Sequence, residues 1–194
     1  MIPALENLRK NLARPAVIAL FGLALFCFLY FLKAAPWSSE PKVPSAAKIK
    51  NPLRKQFVKN RETLLQARGA SLTPDNSSTR AHASFRDRYR RFLILDLFFP
   101  FAYVGLLAGL IGLGSFSPRW KPFALWIPLA AFPLDWLENG LLLHALHAEG
   151  LSGAAIESFS RLAAVVKMVL YGVFAVSGGL ALWALASRFI RRGR

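Results

Sequence analysis

Apolar residues fall along this chain in four long runs, separated by polar and mostly basic stretches. About 20 predominantly apolar residues are enough to cross a bilayer as a helix. The first run is Pro15 to Ala35, around AVIALFGLALFCFLYFL, with Arg9, Lys10 and Arg14 before it. Pro15 suits a first helical turn. The FLKAAP that follows is a poor small-x-small cleavage site, so the run is read as a retained transmembrane helix. The second run is Arg91 to Gly114; Ser84 and Asp87 have N-cap spacing and would start its helix near Phe85. Within it Gly105 and Gly109 form a GxxxG, which permits close helix contact. The third, Pro122 to His147, contains Pro128 and Pro133 and is expected to kink or break. The fourth is Arg161 to Ala186, with Trp183 near its end as an interface anchor.

Residues 36–84, between the first two runs, are rich in Lys and Arg. NPLRKQFVKNRETLLQARG reads as an amphipathic helix over about 51–69, capped by Asn51, opened by Pro52 and ended by Gly69. Leu53, Phe57 and Leu64 share one face, with Val58 and Leu65 beside it, and basic residues fill much of the rest. That pattern predicts a helix in the headgroup layer, with residues 48–68 against anionic lipid. The alternative is a helix packed on the protein's own surface. SLTPDNSSTR is a loop. The chain thus divides into a basic N-terminus and first span (1–35), a basic loop with its helix (36–84), a three-helix transmembrane core (85–187) and a basic C-terminal tail (188–194).

Composition agrees. The chain is 55% hydrophobic with mean hydropathy +0.38, values usual for a small polytopic membrane protein. The net charge of +15 would suit nucleic acid or an anionic membrane surface. Long apolar runs flanked by the basic residues favour the membrane, and the loop carries no nucleic-acid-binding module. A single cysteine, Cys27, excludes an internal disulfide and a cysteine metal cluster. With four spans both termini share a side, and the basic leader before the first span places them in the cytoplasm.

The charged residues inside the runs carry the candidate chemistry. They are Asp96 in the second, Asp135 and Glu138 in the third and Lys167 in the fourth, with Asn139 and Arg161 beside them. At 1.5 Å per residue, Asp96 lies about 7 Å, Lys167 about 9 Å and Glu138 about 14 Å from the side of the long loop, with Asp135 near the midplane. Asp135, Glu138, Asn139 and Leu142 form one helical stripe. Asp96 shares a stripe with Tyr89, Pro100 and Tyr103, and Lys167 shares one with Ala164, Tyr171, Phe174 and Gly178. Intramembrane charges normally face a bundle interior, and these stripes can all turn inward. Three carboxylates then face one lysine, or two cations if Arg161 reaches in. Desolvation and mutual repulsion leave Glu138 or Asp135 holding a proton at neutral pH, unless a metal or cationic ligand occupies the site. If Pro133 breaks its helix, Asp135 would instead sit in the first turn of a new half-helix, where free N–H groups favour its charge. His144 and His147 lie off the stripe, about 180° from Asp135 and Glu138 at 100° per residue, and suit the membrane surface. Without a second cluster they predict no metal site.

FRDRYRRFLILDLFFPFAY, PLAAFPLDWLENGLLL and RLAAVVKMVLYG together resemble a group of small, mostly bacterial, uncharacterised four-span membrane proteins. The shared pattern is R-x-x-Y, D-x-x-x-P-x-x-Y, D-x-x-E-N and a lysine early in the fourth span. It falls here on Arg86, Tyr89, Asp96, Pro100, Tyr103, Asp135, Glu138, Asn139 and Lys167. The resemblance covers roughly residues 85–180. This chain departs from it at Phe85, where glycine is expected, and at Val166, where threonine is. The resemblance implies a four-helix membrane fold and supplies no activity; the expected location is a bacterial inner membrane.

The expected fold is an all-α membrane protein of four transmembrane helices in a bundle, with a basic amphipathic interfacial helix between the first two. The polar cluster (Asp96, Asp135, Glu138, Asn139, Lys167, Tyr89, Tyr103, Tyr171, Arg86 and Arg161) either fixes helix packing or binds a proton, cation or small ligand. The competing reading is a membrane-embedded enzyme on a lipid-like substrate, with Glu138 and Asp135 or Asp96 as general acid and base and Tyr103 assisting. No nucleophile elbow, His/Asp metal motif or cofactor loop supports that, so no cofactor is implied. The expected partners are the bilayer, anionic headgroups and a second copy or another membrane subunit.

Overall fold

A computed structural model describes residues 3–34, 44–69, 78–114, 116–117, 119–148 and 150–192. Every element among them is a helix: α1 (Pro3–Leu12), α2 (Pro15–Ala34), α3 (Pro44–Ala47), α4 (Pro52–Ala67), α5 (Ser78–Asp96), α6 (Phe99–Gly112), α7 (Lys121–His147) and α8 (Gly153–Arg192). The predicted loop SLTPDNSSTR lies largely outside the described residues. Two stretches are long and apolar enough to cross a membrane, Phe85–Gly112 and Gly153–Ile190. The pair Glu6–Leu12 and Pro15–Tyr30, bent by 69°, makes a third if it is one span. The third predicted run, α7, has the length but not the apolarity, because Asp135, Glu138, Asn139 and two histidines interrupt its hydrocarbon surface.

Several boundaries differ from the sequence expectation. α5 is already helical at Ser78, so Ser84 is inside a helix and does not start one near Phe85. It ends at Asp96, where Pro100 cannot donate to the carbonyl four residues back, and the chain resumes as α6 at Phe99. α7 runs unbroken through Pro128 and Pro133, so Asp135 does not head a half-helix. In a long helix the neighbouring bonds carry the chain past the donor that each proline lacks. α8, at 40 residues, extends beyond the predicted run at both ends, and the basic C-terminal tail is helical to Arg192.

Contacts divide the chain into two units, each assembled from segments distant in sequence. Unit 1 comprises Met1–Tyr30, Phe98–Pro133 and Leu170–Arg194; unit 2 comprises Phe31–Leu97 and Leu134–Val169. The boundaries fall within α2 after Tyr30, at the α5–α6 break, within α7 next to Pro133, and within α8.

Unit 1 is centred on Ala108, Ile111, Ala124, Leu125 and Ala181, with Leu12 and Phe116 against them. Its GxxxG is used inside the chain. A Cβ on Gly105 would lie 2.5 Å from the Phe21 ring, and one on Gly109 would lie 2.8 Å from the Leu12 carbonyl oxygen. A backbone oxygen cannot swing away as a side-chain tip can. Gly109→Ala is therefore expected to lower stability by about 1–2 kcal/mol, overpacking outweighing the helix-propensity gain. The thermal midpoint in detergent measures this.

Unit 2 is centred on Leu64, Ala67, Tyr89, Leu93, Leu142, Ala145, Leu146, Ile156 and Ala163. Its α4 begins as the sequence predicts: Asn51 Oδ1 accepts from Arg54 N at 3.0 Å, Pro52 occupies the first turn, and Gly69 follows with φ 71°. Asn60, Thr63, Leu64 and Ala67 are buried. The face expected to meet lipid thus packs, over its C-terminal half, on α5, α7 and α8. Leu53 at its start stays 41% exposed.

Candidate functional site

Helical periodicity in α7 places Asp135, Glu138, Asn139 and Leu142 on one face, all buried to 3% exposure or less, while Trp136, Leu137 and Gly140 point outward. α5 brings Asp96 to this face at its last residue, and α8 brings Lys167. The Asn139 side-chain amide donates both to Asp96 Oδ2 at 3.2 Å and to Asp135 Oδ2 at 3.3 Å. Lys167 Nζ lies 2.8 Å from Glu138 Oε2; Glu138 is 3% exposed and the lysine side chain 20%. Five side chains from three helices therefore form one polar assembly, wholly within unit 2. An amide –NH2 has two donors, and here each meets a different carboxylate. A buried carboxylate without a donor or cation would cost several kcal/mol; here the amide serves Asp96 and Asp135 and the ammonium serves Glu138.

The other expected site residues are held as follows. Tyr89 is buried in the apolar core of unit 2, its ring stacked on Phe92 at 6.5 Å. Tyr103 and Tyr171 belong to unit 1. Tyr103 is buried against Phe174, with ring centroids 4.4 Å apart, and edge-on to Phe99 at 5.0 Å. Tyr171 is 50% exposed, because the buried face of α8 passes through Lys167 to Leu170 rather than to Tyr171. Arg161 does not reach the cluster: it pairs with Glu157 at 2.8 Å on the surface and lies over the Phe57 ring. Arg86 donates to the Leu146 carbonyl at 3.3 Å. Arg68 donates to the carbonyls of Ala145 at 2.8 Å and Ala148 at 2.7 Å. Two cations thus close the end of α7, where the last carbonyls lack partners and the dipole is negative.

Three contributors escape sequence reasoning. Arg68 is one; the helix it caps is distant in sequence. Another is Trp136, half exposed, whose Nε1 donates to the Leu97 carbonyl at 3.0 Å. The carbonyls around the α5–α6 break lose helical partners, and the indole replaces one of them. The only signal in the sequence is a tryptophan inside D-x-x-E-N, next to Asp135. The third is Ser160, whose backbone oxygen accepts from Asn60 Nδ2 at 3.4 Å and ties α4 to α8. His144 and His147 are exposed; His144 packs on Phe159, with ring centroids 5.3 Å apart. Among the described residues no three His, Cys, Asp or Glu side chains are grouped to hold a metal ion.

Compared with protein-family models, curated proteins and solved structures, the chain matches none.

Proposed function

We propose that this is a multi-pass integral membrane protein whose Asp96–Asn139–Asp135 and Glu138–Lys167 assembly takes up positive charge, a proton in the first instance. The single observation behind this reading is the shared Asn139 amide. It gives one donor to each of two carboxylates, while the lysine is committed to a third. Of the five side chains three are acids and one is a base, and a proton taken up among them needs no further ligands. The grouping of side chains favours a proton over a coordinated metal ion. Four crossings, with α7 as the third, keep every one of these groups away from lipid, as intramembrane charges require. The same assembly ties α5, α7 and α8 together, so packing and charge uptake belong to one set of residues. Termini in the cytoplasm of a bacterial inner membrane agree with the basic leader.

Proton uptake on acidification of the detergent-solubilised protein tests this, alongside the infrared carbonyl stretch of a protonated carboxyl. Asp96→Asn and Asp135→Asn should each bind fewer protons than the wild type and lose part of that infrared band, while unfolding cooperatively. Folded variants with wild-type uptake and an unchanged band would leave only a packing role.

A further inference from the structure

α4 has two faces with different tasks. Its inner face, Asn60, Thr63, Leu64 and Ala67, is buried against the helices of unit 2. What remains outward is basic: Arg54, Lys55 and Arg61 are exposed, with Lys50 just before the helix. The exposed side chains of Arg90 and Arg91 extend the same charge on α5, which packs beside α4 in unit 2. Both arginines fall within the first two turns of the Phe85–Gly112 stretch, so the charge stands at the level where that stretch would enter a bilayer. Leu53, exposed beside Arg54, adds an apolar contact at the same place. The acids near these cations are fewer: Glu62 is half-buried on α4, Asp87 is exposed nearby, and Glu157 is paired with Arg161.

We propose that the outer face of α4 and the start of α5 dock on the anionic phospholipid headgroups of the leaflet that α5 enters. The proposal rests on reading Phe85–Gly112 as a membrane span. Charge complementarity carries it: basic residues next to a span attract anionic headgroups over about a Debye length, and each contributes separately. Nucleic acid fits less well, because the cations lie at the mouth of a hydrocarbon-crossing helix with an exposed leucine among them. The arrangement also differs from a free amphipathic helix. The apolar side of α4 is already occupied by protein, so binding depends on the charges and not on insertion of that side.

The test uses the full chain in nanodiscs of neutral phosphatidylcholine and in discs containing phosphatidylglycerol. Three observations are made: the lipid retained by the protein on extraction, the thermal midpoint in each disc, and binding of a fluorescent single-stranded oligonucleotide to the neutral discs. The expected result is several-fold enrichment of phosphatidylglycerol and a higher midpoint in anionic discs, both reduced by added salt. Arg54→Glu/Lys55→Glu/Arg61→Glu should abolish the preference while matching the wild-type midpoint in neutral discs. Arg54→Lys/Arg61→Lys, which keeps the charge, should retain it. Equal retention of the two lipids, or a preference that survives the charge reversal, would overturn the proposal. So would tight, reversal-sensitive oligonucleotide binding without lipid preference. A chain that enters neutral discs but shows no preference fails only the docking proposal, whereas a chain that enters neither disc fails the membrane reading beneath it.

Discussion

Replacing Lys167 by Met is expected to destabilise the protein by about 3 kcal/mol, at the lower end of what unpairing a buried charge costs. The reason is an asymmetry in the pair. Glu138 is 3% exposed, so removing Lys167 takes away its ion-pair partner at a site closed to water. Lys167, with a fifth of its side chain exposed, is less enclosed and has more freedom to move when Glu138 is removed. Glu138→Gln should therefore cost less than Lys167→Met. The double variant should be more stable than Lys167→Met alone, because replacing both partners removes the stranded charge along with the pair. Thermal unfolding in detergent gives the comparison; a 3 kcal/mol loss corresponds to roughly 6–12 °C for a chain of this size. Additive losses in the double variant would mean that the two side chains do not act on each other.

The second large effect is expected at Asn139. Its amide supplies donors to two carboxylates at once, at 3.2 and 3.3 Å, from a position only 1% exposed. Asn139→Leu keeps the volume and removes both. A hydrogen bond to a charged group contributes about 1.5–3 kcal/mol, so the loss should be about 3 kcal/mol. The decisive measurement is the same substitution in an Asp96→Asn background. With one acid neutralised, the amide matters less, and Asn139→Leu should cost about half as much there. An equal cost in both backgrounds would show that Asn139 acts through packing and not through the two acids. The two experiments address different halves of the assembly, one ionic and one amide-bridged, and do not share a side chain.

Both predictions depend on pairings that no run of residues displays. The stripe Asp135, Glu138, Asn139, Leu142 is legible at once, because helical period alone places these four on one face. Which acid Lys167 meets is not legible: Asp96, Asp135 and Glu138 were all within reach on depth alone. The answer depends on the rotation of α8 against α7, and that rotation is set by packing of residues such as Ala163 and Leu146 in the unit 2 core. The same rotation turns Tyr171 outward and leaves Arg161 beside Glu157. Tyr171, four positions from Lys167, stands about 40° round the helix from it, which is enough to turn its ring out of the buried face.

The local signals had a definite range. Asn51, Pro52 and Gly69 bound α4 because capping, the fixed φ of proline and a left-handed glycine act within one turn. Pro100 interrupts the α5–α6 run for an equally local reason, although Pro128 and Pro133 leave α7 continuous. Phe85, where the resemblance expects glycine, packs on the core of unit 2, a contact that only the folded chain supplies.

By itself, then, the sequence determined an all-helical chain with stretches able to cross a membrane, a capped basic helix before the second of its apolar runs, and a carboxylate stripe on α7. Each follows from composition, from the helical period or from backbone chemistry within a few residues. Tertiary structure alone decided that Asn139 bridges Asp96 to Asp135, that Lys167 takes Glu138, that Arg68 and Arg86 close the end of α7, and that α4 spends its apolar face on protein. Those arrangements join residues up to a hundred positions apart. Their energies depend on burial and on distances of a few ångströms, which exist only once the helices have packed.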